Sequence, residues 1–134
     1  MQTLFEIKSN LPFDAGIFER MKKSAADLLQ ATQKDKYTQA VVLYSKKRNE
    51  YRALLCYAVS NEKNNEAALL EALWAAKDTE LRYVLCMWSD GGIDIPSYAL
   101  REMLCTIDPR NAESLCFVMT KDGVGALKVS ATMK

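Results

Sequence analysis

Three groups of residues in this chain are of types that could do chemistry. The first is SDGGIDIPSYALREML (89–104), where an apolar run ending at Trp88 turns on Asp90-Gly91-Gly92 and Pro96-Ser97 opens a helix-like stretch. Strand-to-helix turns of this shape are places where a phosphate, a metal or a catalytic group is held. The second is Asn64-Asn65-Glu66, directly ahead of another helical stretch. The third is the set of four cysteines, Cys56, Cys86, Cys105 and Cys116, each inside an apolar run.

The chemistry open to these groups is narrow. No two cysteines form C-x-x-C, which excludes a zinc knuckle and a dithiol redox motif, so buried reduced thiols are expected. The chain has no histidine, and with it go the commonest general base and the commonest zinc ligand. Without such a base, Ser97 behind Pro96 reads as a helix cap rather than a nucleophile. Gly91-Gly92 has neither the G-x-G-x-x-G nor the Walker spacing of a phosphate loop.

The 134 residues are the length of one domain (1–134, with 1–13 as a lead segment). Hydrophobic residues make up 49% and charged residues 26%, which is the balance of a globular protein rather than a disordered one. A net charge of +1 with mixed signs provides no broad field for duplex nucleic acid or an anionic membrane. Lys46-Lys47-Arg48 is the densest basic cluster and reads as a solvated hairpin tip. No signal pattern and no membrane-length apolar run is present, so the expected location is cytoplasmic.

The elements that must position these residues follow from periodicity. Ile17, Met21, Leu28 and Leu29 fall near helical spacing within about 14–34. AVVLYS (40–45), the tip KKRN and EYRALLCYAV (50–59) read as a hairpin. In EAALLEALWAAK (66–77), Leu69 with Leu73 and Leu70 with Trp74 are i,i+4 pairs, giving a helix with an apolar face. ELRYVLCMW (80–88) is a strand covered on both faces. Asp94 is a candidate N-cap for a second firm helix, with Leu100, Met103, Leu104 and Ile107 on one face and Asp108-Pro109 as its stop. SLCFVMT (114–120), the tip Lys121-Asp122-Gly123 and ALKVSA (126–131) form a closing hairpin. The order α-β-β-α-β-α-β-β predicts a three-layer α-β-α domain with a five-stranded mixed sheet, two helices on one face and the first helix on the other.

This order resembles the cytidine deaminase superfamily, particularly the small nucleoside and blasticidin-type deaminases, over about residues 14–131. In that family a His or Cys and two further Cys hold a zinc ion that activates water, and a glutamate shuttles the proton. Asn64-Asn65-Glu66 falls where the family has its ligand-x-Glu, and Pro96-Ser97-Tyr98-Ala99-Leu100 where it has Pro-Cys-x-x-Cys. The flanking Arg101-Glu102-Met103-Leu104 is similar to the Arg-Gln-Val-Leu that commonly follows, Lys121-Asp122-Gly123 matches a frequent hairpin tip, and Tyr37 opens the first strand as a Tyr-Ser pair does. The resemblance thus makes Asn64, Ser97 and Leu100 the former metal-ligand positions and Glu66 the vestigial proton-shuttle position. Leu55, near the family's substrate-contacting Asn, together with Cys56, Asn65 and Pro96, lies about the pocket.

None of the three ligand positions carries a good zinc donor: an amide and a hydroxyl are poor, and a leucine is none. Zinc is therefore expected to be absent, and without it an active-site water keeps a pKa too high for attack at neutral pH. The reading is a deaminase-fold protein that has lost its zinc site and acts by binding a nucleoside-like small molecule or a protein partner. The resemblance also implies a homo-oligomer, dimer or tetramer. Two alternatives stand: an active hydrolase of the deaminase class that recruits metal through Glu66, Asp90, Asp94 or a cysteine, and an unrelated small α/β interaction or inhibitor protein.

Overall fold

The computed structural model describes residues 4–5, 11–31, 38–56 and 66–132, with the backbone alone at 4–5 and Cys56. Among these residues the elements run β1 (Leu4–Phe5), α1 (Ala15–Gln30), β2 (Thr38–Ser45), β3 (Glu50–Cys56), α2 (Glu66–Ala75), β4 (Leu81–Trp88), β5 (Ile93–Asp94), α3 (Tyr98–Ile107), β6 (Leu115–Thr120) and β7 (Gly123–Lys128). Short 3-10 turns follow α3 at Pro109–Glu113 and β7 at Val129–Thr132.

The five long strands lie side by side as β3-β2-β4-β6-β7, and only the β4–β6 pair is parallel. This is the expected mixed sheet, with two additions. β4 and β6 pair only at Tyr83–Leu115 and Val84–Cys116. Beyond that point β5 pairs with β4 and β1 with β6. Two-residue strands carry no alternation of their own, so nothing in their sequence marks them.

Alternation along β2 assigns the two faces, since successive side chains point to opposite sides. Ala40, Val42 and Tyr44 join Tyr83, Leu85, Met87 and Phe117 beneath Ile17, Phe18, Met21, Ala25 and Leu29 of α1. Val41 and Leu43 join Leu55, Val84, Cys86 and Cys116 beneath Leu69 and Leu73 of α2 and Leu100 and Leu104 of α3. The predicted three layers are present, with α1 the one helix on its face among the described residues. On that face Phe117 meets Phe18 (4.8 Å) and Phe13 (5.1 Å) edge to face and stacks on Tyr83 at 5.2 Å. Asp14 caps α1 by accepting from Ile17 N at 3.0 Å, and its own N–H donates to Tyr83 Oη at 2.9 Å, tying the helix start to the sheet.

The end of the sheet that carries the β2–β3 tip is held by buried polar groups. Asp78, 2% exposed, accepts at Oδ2 from Ser45 Oγ (2.8 Å), Asn49 Nδ2 (2.9 Å) and Tyr51 Oη (2.9 Å). Asn111 Oδ1 accepts from Leu81 N at 2.7 Å, and its Nδ2 donates to the carbonyls of Thr79 and Leu104, both at 2.9 Å. Ser114 Oγ donates to Leu81 O at 2.6 Å. These bonds satisfy backbone groups where α2, β4 and α3 meet. No helix among the described residues is long and apolar enough to cross a membrane.

Candidate functional site

The residues singled out by type gather at the opposite end of the sheet, where β3 and β4 finish and α2 and α3 begin. Glu66 is the first residue of α2 and is half-buried. It lies three and seven residues before Leu69 and Leu73, so it shares the stripe that faces the sheet. Ser97 caps α3: its Oγ accepts from Leu100 N at 3.1 Å. Leu100 is fully buried, in one cluster with Leu55, Leu69, Cys86 and Leu104. Pro96 is buried beside them in sequence. The fold therefore brings Leu55 and Leu100 into one apolar cluster, and places Glu66 and Ser97 at the starts of the two helices that cover it. Asn64, Asn65 and Tyr37 lie outside the described residues, as does the Cys56 side chain.

The turn 89–92 is held by its own groups. Trp88 N donates to Gly92 O at 2.7 Å and Gly91 N to Trp88 O at 2.8 Å. Gly91 has φ +89, a conformation glycine adopts without steric cost. Asp90 Oδ1 accepts from Gly92 N at 2.8 Å. Asp94 does not cap α3, contrary to the sequence expectation: it sits in β5 opposite Cys86, and the helix starts four residues later behind Ser97. Its carboxylate accepts from Ile95 N at 2.8 Å and from Trp88 Nε1 at 3.4 Å. Both aspartates thus serve the turn, the reverse of a site in which they project free toward an ion.

The thiols add no reactive group. Burial pushes the Cys86 thiol well above its ordinary value and the Cys116 thiol up to about 12. Burial also raises Cys105, which packs against the α2/α3 cluster. None of the three forms a disulfide, and all are protonated at neutral pH, unlike the thiolates that bind metals or attack substrates. Among the described residues no three His, Cys, Asp or Glu side chains converge as a metal set. The donor chemistry here does not fit zinc: the Leu100 side chain has no lone pair, and Ser97 Oγ is committed to a cap.

Two residues at this end take roles that the sequence pattern does not mark. Gln39, 2% exposed, pairs across the sheet with Leu55 on one side and Trp88 on the other. By alternation with Val41 and Leu43 it faces the α2/α3 side. Among the described residues its Oε1 has no hydrogen-bond partner, a costly state for a buried carbonyl. The apolar run begins at Ala40, which makes Gln39 its polar boundary in the sequence; β2 starts earlier, at Thr38, and that start turns Gln39 inward. Arg101, 8% exposed, is the second. It lies over the Tyr98 ring at 5.6 Å and donates from Nε to Ser97 O at 3.4 Å and from Nη1 to Thr132 O, fastening the last described turn to the start of α3.

α2 also departs from expectation on its outer side. Leu69 and Leu73 face the core, whereas Leu70 is half-buried and Trp74 is 69% exposed. Trp74 and Leu70 line an apolar groove with Met103 and Ile107 of α3, flanked by Glu71 and Glu102.

No family model matches the chain, and no curated protein matches its sequence. Solved structures do. Cytidine deaminase from Mycobacterium leprae is similar at 19% identity and TM-score 0.55, over 81% of this chain and 92% of that one. Cytidine deaminase from Mycobacterium tuberculosis is similar at 13% identity and TM-score 0.60, over 85% of this chain and 91% of that one. A mutant of the latter enzyme reaches TM-score 0.66 at 13% identity, over 85% and 89%. Identities this low carry architecture and not activity. The strand order and the placement of the helices on the two faces of the sheet fit a cytidine deaminase-like fold.

Proposed function

We propose that this chain is a deaminase-fold protein without zinc-dependent deamination, acting by binding a nucleoside-like small molecule or a protein partner. The observation that carries the loss is Leu100: the position is core, closed by the apolar side chains of its cluster. What supports a small-molecule ligand is Gln39. Its buried amide, without a partner at Oε1, faces the same side of the sheet as Leu55 and can recognise the donor–acceptor edge of a nucleoside-like base. Glu66 at the rim is favoured in the first turn of α2 by the helix dipole and needs no catalytic role.

The test is one preparation read three ways. The purified protein is expected to hold no stoichiometric zinc by elemental analysis and to release no ammonia from cytidine or deoxycytidine. Nucleosides that bind are expected to raise its melting temperature. A ligand at a hundred times its dissociation constant adds about 2.7 kcal/mol. Gln39→Leu should remove that shift while raising the stability of the free protein by about 1 kcal/mol, because an unsatisfied buried carbonyl is removed. One zinc per chain, or ammonia release abolished by Glu66→Ala, would overturn the reading.

Assembly with a second copy of this chain is the protein-partner form of the same proposal. An exposed tryptophan in an apolar groove is the kind of surface that soluble proteins cover. Light scattering is expected to give a dimer or larger, and Trp74→Glu to give monomer. A wild-type monomer at high concentration would remove this part.

A further inference from the structure

The other face of the sheet carries a separate cleft, at the end away from the former metal turn. It has a volume of about 730 Å³, within the range of small-molecule sites. Three arginines from three elements line it: Arg20 from α1, Arg48 from the β2–β3 tip and Arg82 from β4. Its floor is apolar and buried, formed by Ile17, Met21 and Tyr44.

Arg20, Arg48 and Arg82 lack the partners that Arg101 and Arg110 have. Arg110 forks onto Asp108 with Nε–Oδ1 3.0 Å and Nη2–Oδ2 2.8 Å, and Arg101 is bonded to two carbonyls. Arg20, Arg48 and Arg82 make no ion pair and no side-chain hydrogen bond among the described residues; Arg82 only lies over the Tyr83 ring at 5.0 Å. This holds although Asp14 and Glu50 line the same cleft. Asp14 Oδ1 is committed to the cap of α1, which leaves its Oδ2 and Glu50 as the acceptors of the cleft. Arg48 is also held at φ +69, a backbone conformation that favours glycine or asparagine. A residue less suited to the backbone than glycine stands at the spot that brings a guanidinium to the cleft.

We propose that this cleft binds a small phosphate monoester bearing hydroxyl groups, such as a sugar phosphate, with the phosphate on Arg20, Arg48 and Arg82 and the hydroxyls on Glu50. Guanidinium forks match phosphate oxygens two at a time, and three unpaired arginines around one cleft outnumber its two carboxylates. The apolar floor takes the carbon skeleton of the ligand. This site is independent of the reading at the former metal turn, and Gln39→Leu leaves it intact.

Calorimetric titration of the full chain at low salt tests it, with ribose 5-phosphate, inorganic phosphate and ribose as probes. Ribose 5-phosphate is expected to bind, inorganic phosphate to bind more weakly, and ribose to give no heat. Arg82→Ala and Arg48→Gly should each weaken ribose 5-phosphate by about tenfold or more, the scale of one lost charge-assisted hydrogen-bonding pair. Arg48→Gly should do so with an unchanged or raised melting temperature, because glycine relaxes the left-handed backbone, so misfolding cannot account for the loss. Binding of neither phosphate probe, or equal binding by the wild type and both variants, would overturn the proposal.

Discussion

Leu100→Ala lowers the unfolding free energy by about 3 kcal/mol and the melting temperature by about 10 °C. The side chain is fully buried at the start of α3, in the cluster that joins α2, α3 and the sheet. Truncation removes the transfer free energy of three carbons and leaves a cavity that a close-packed surround cannot fill. The number separates two views of the position. If residue 100 still lined an open, solvated pocket, truncation would create no cavity and cost under about 1 kcal/mol. Urea unfolding at neutral pH reads the difference. Ser97→Ala is the matched control, since it removes only the cap bond to Leu100 N and costs about 1 kcal/mol. A Leu100→Ala effect no larger than that of the control would reopen the pocket and, with it, the case for an ion there.

Asp78→Ala is expected to cost a similar amount, about 3 kcal/mol, at the far end of the sheet. Hydrogen bonds to an ionised group are worth about 1.5–3 kcal/mol each. Three converge on Asp78 Oδ2, and one comes from the fully buried Ser45, whose hydroxyl would be stranded. Asn49 and Tyr51 recover water, which keeps the total below the sum of three.

The same carboxylate makes the effect depend on pH. Burial alone would push Asp78 up; the hydrogen bonds from Asn49, Ser45 and Tyr51, with Lys47 nearby, outweigh it and hold it below the ordinary carboxylate value. Asp108 behaves alike: the Arg110 fork, opposed by burial and helped by Thr79, pulls it down to about 2. A depressed carboxyl stabilises the fold above its unfolded pKa, and that stability is lost as pH falls through the folded value. For Asp108 the window runs from pH about 4 down to about 2, and its contribution is on the order of 1 kcal/mol because the exposed Arg110 is screened. The wild type should therefore weaken over this range and the Asp78→Ala deficit should shrink. A deficit of the same size at pH about 7 and pH about 2 would mean that the ionised carboxylate is not what holds this corner.

Much of the architecture was legible in advance, for specific reasons. Leu100, Met103, Leu104 and Ile107 recur at helical spacing, and β2 and β3 are apolar runs around a charged tip, so type and order followed from periodicity. The α1 boundary was overshot: the helix ends at Gln30, short of the 34 expected. β1 and β5 were invisible because two residues cannot show a period; they form where β4 and β6 stop pairing. Trp74 was paired with Leu70 as apolar face, yet a helix apolar on two sides does not say which side meets the sheet.

The site divides in the same way. Sequence alone determined that no histidine exists, that no cysteine stands at 97 or 100, and in what order the long elements run, because residue types and periodicities are local properties. Only the tertiary structure decided that Leu100 is sealed in a core shared with Leu55, that the Gln39 amide faces the same side unpaired at Oε1, and that three arginines far apart in the chain share one cleft. Those facts depend on which strand lies beside which and on which face each residue takes, and pairing across a sheet is set by the whole chain at once.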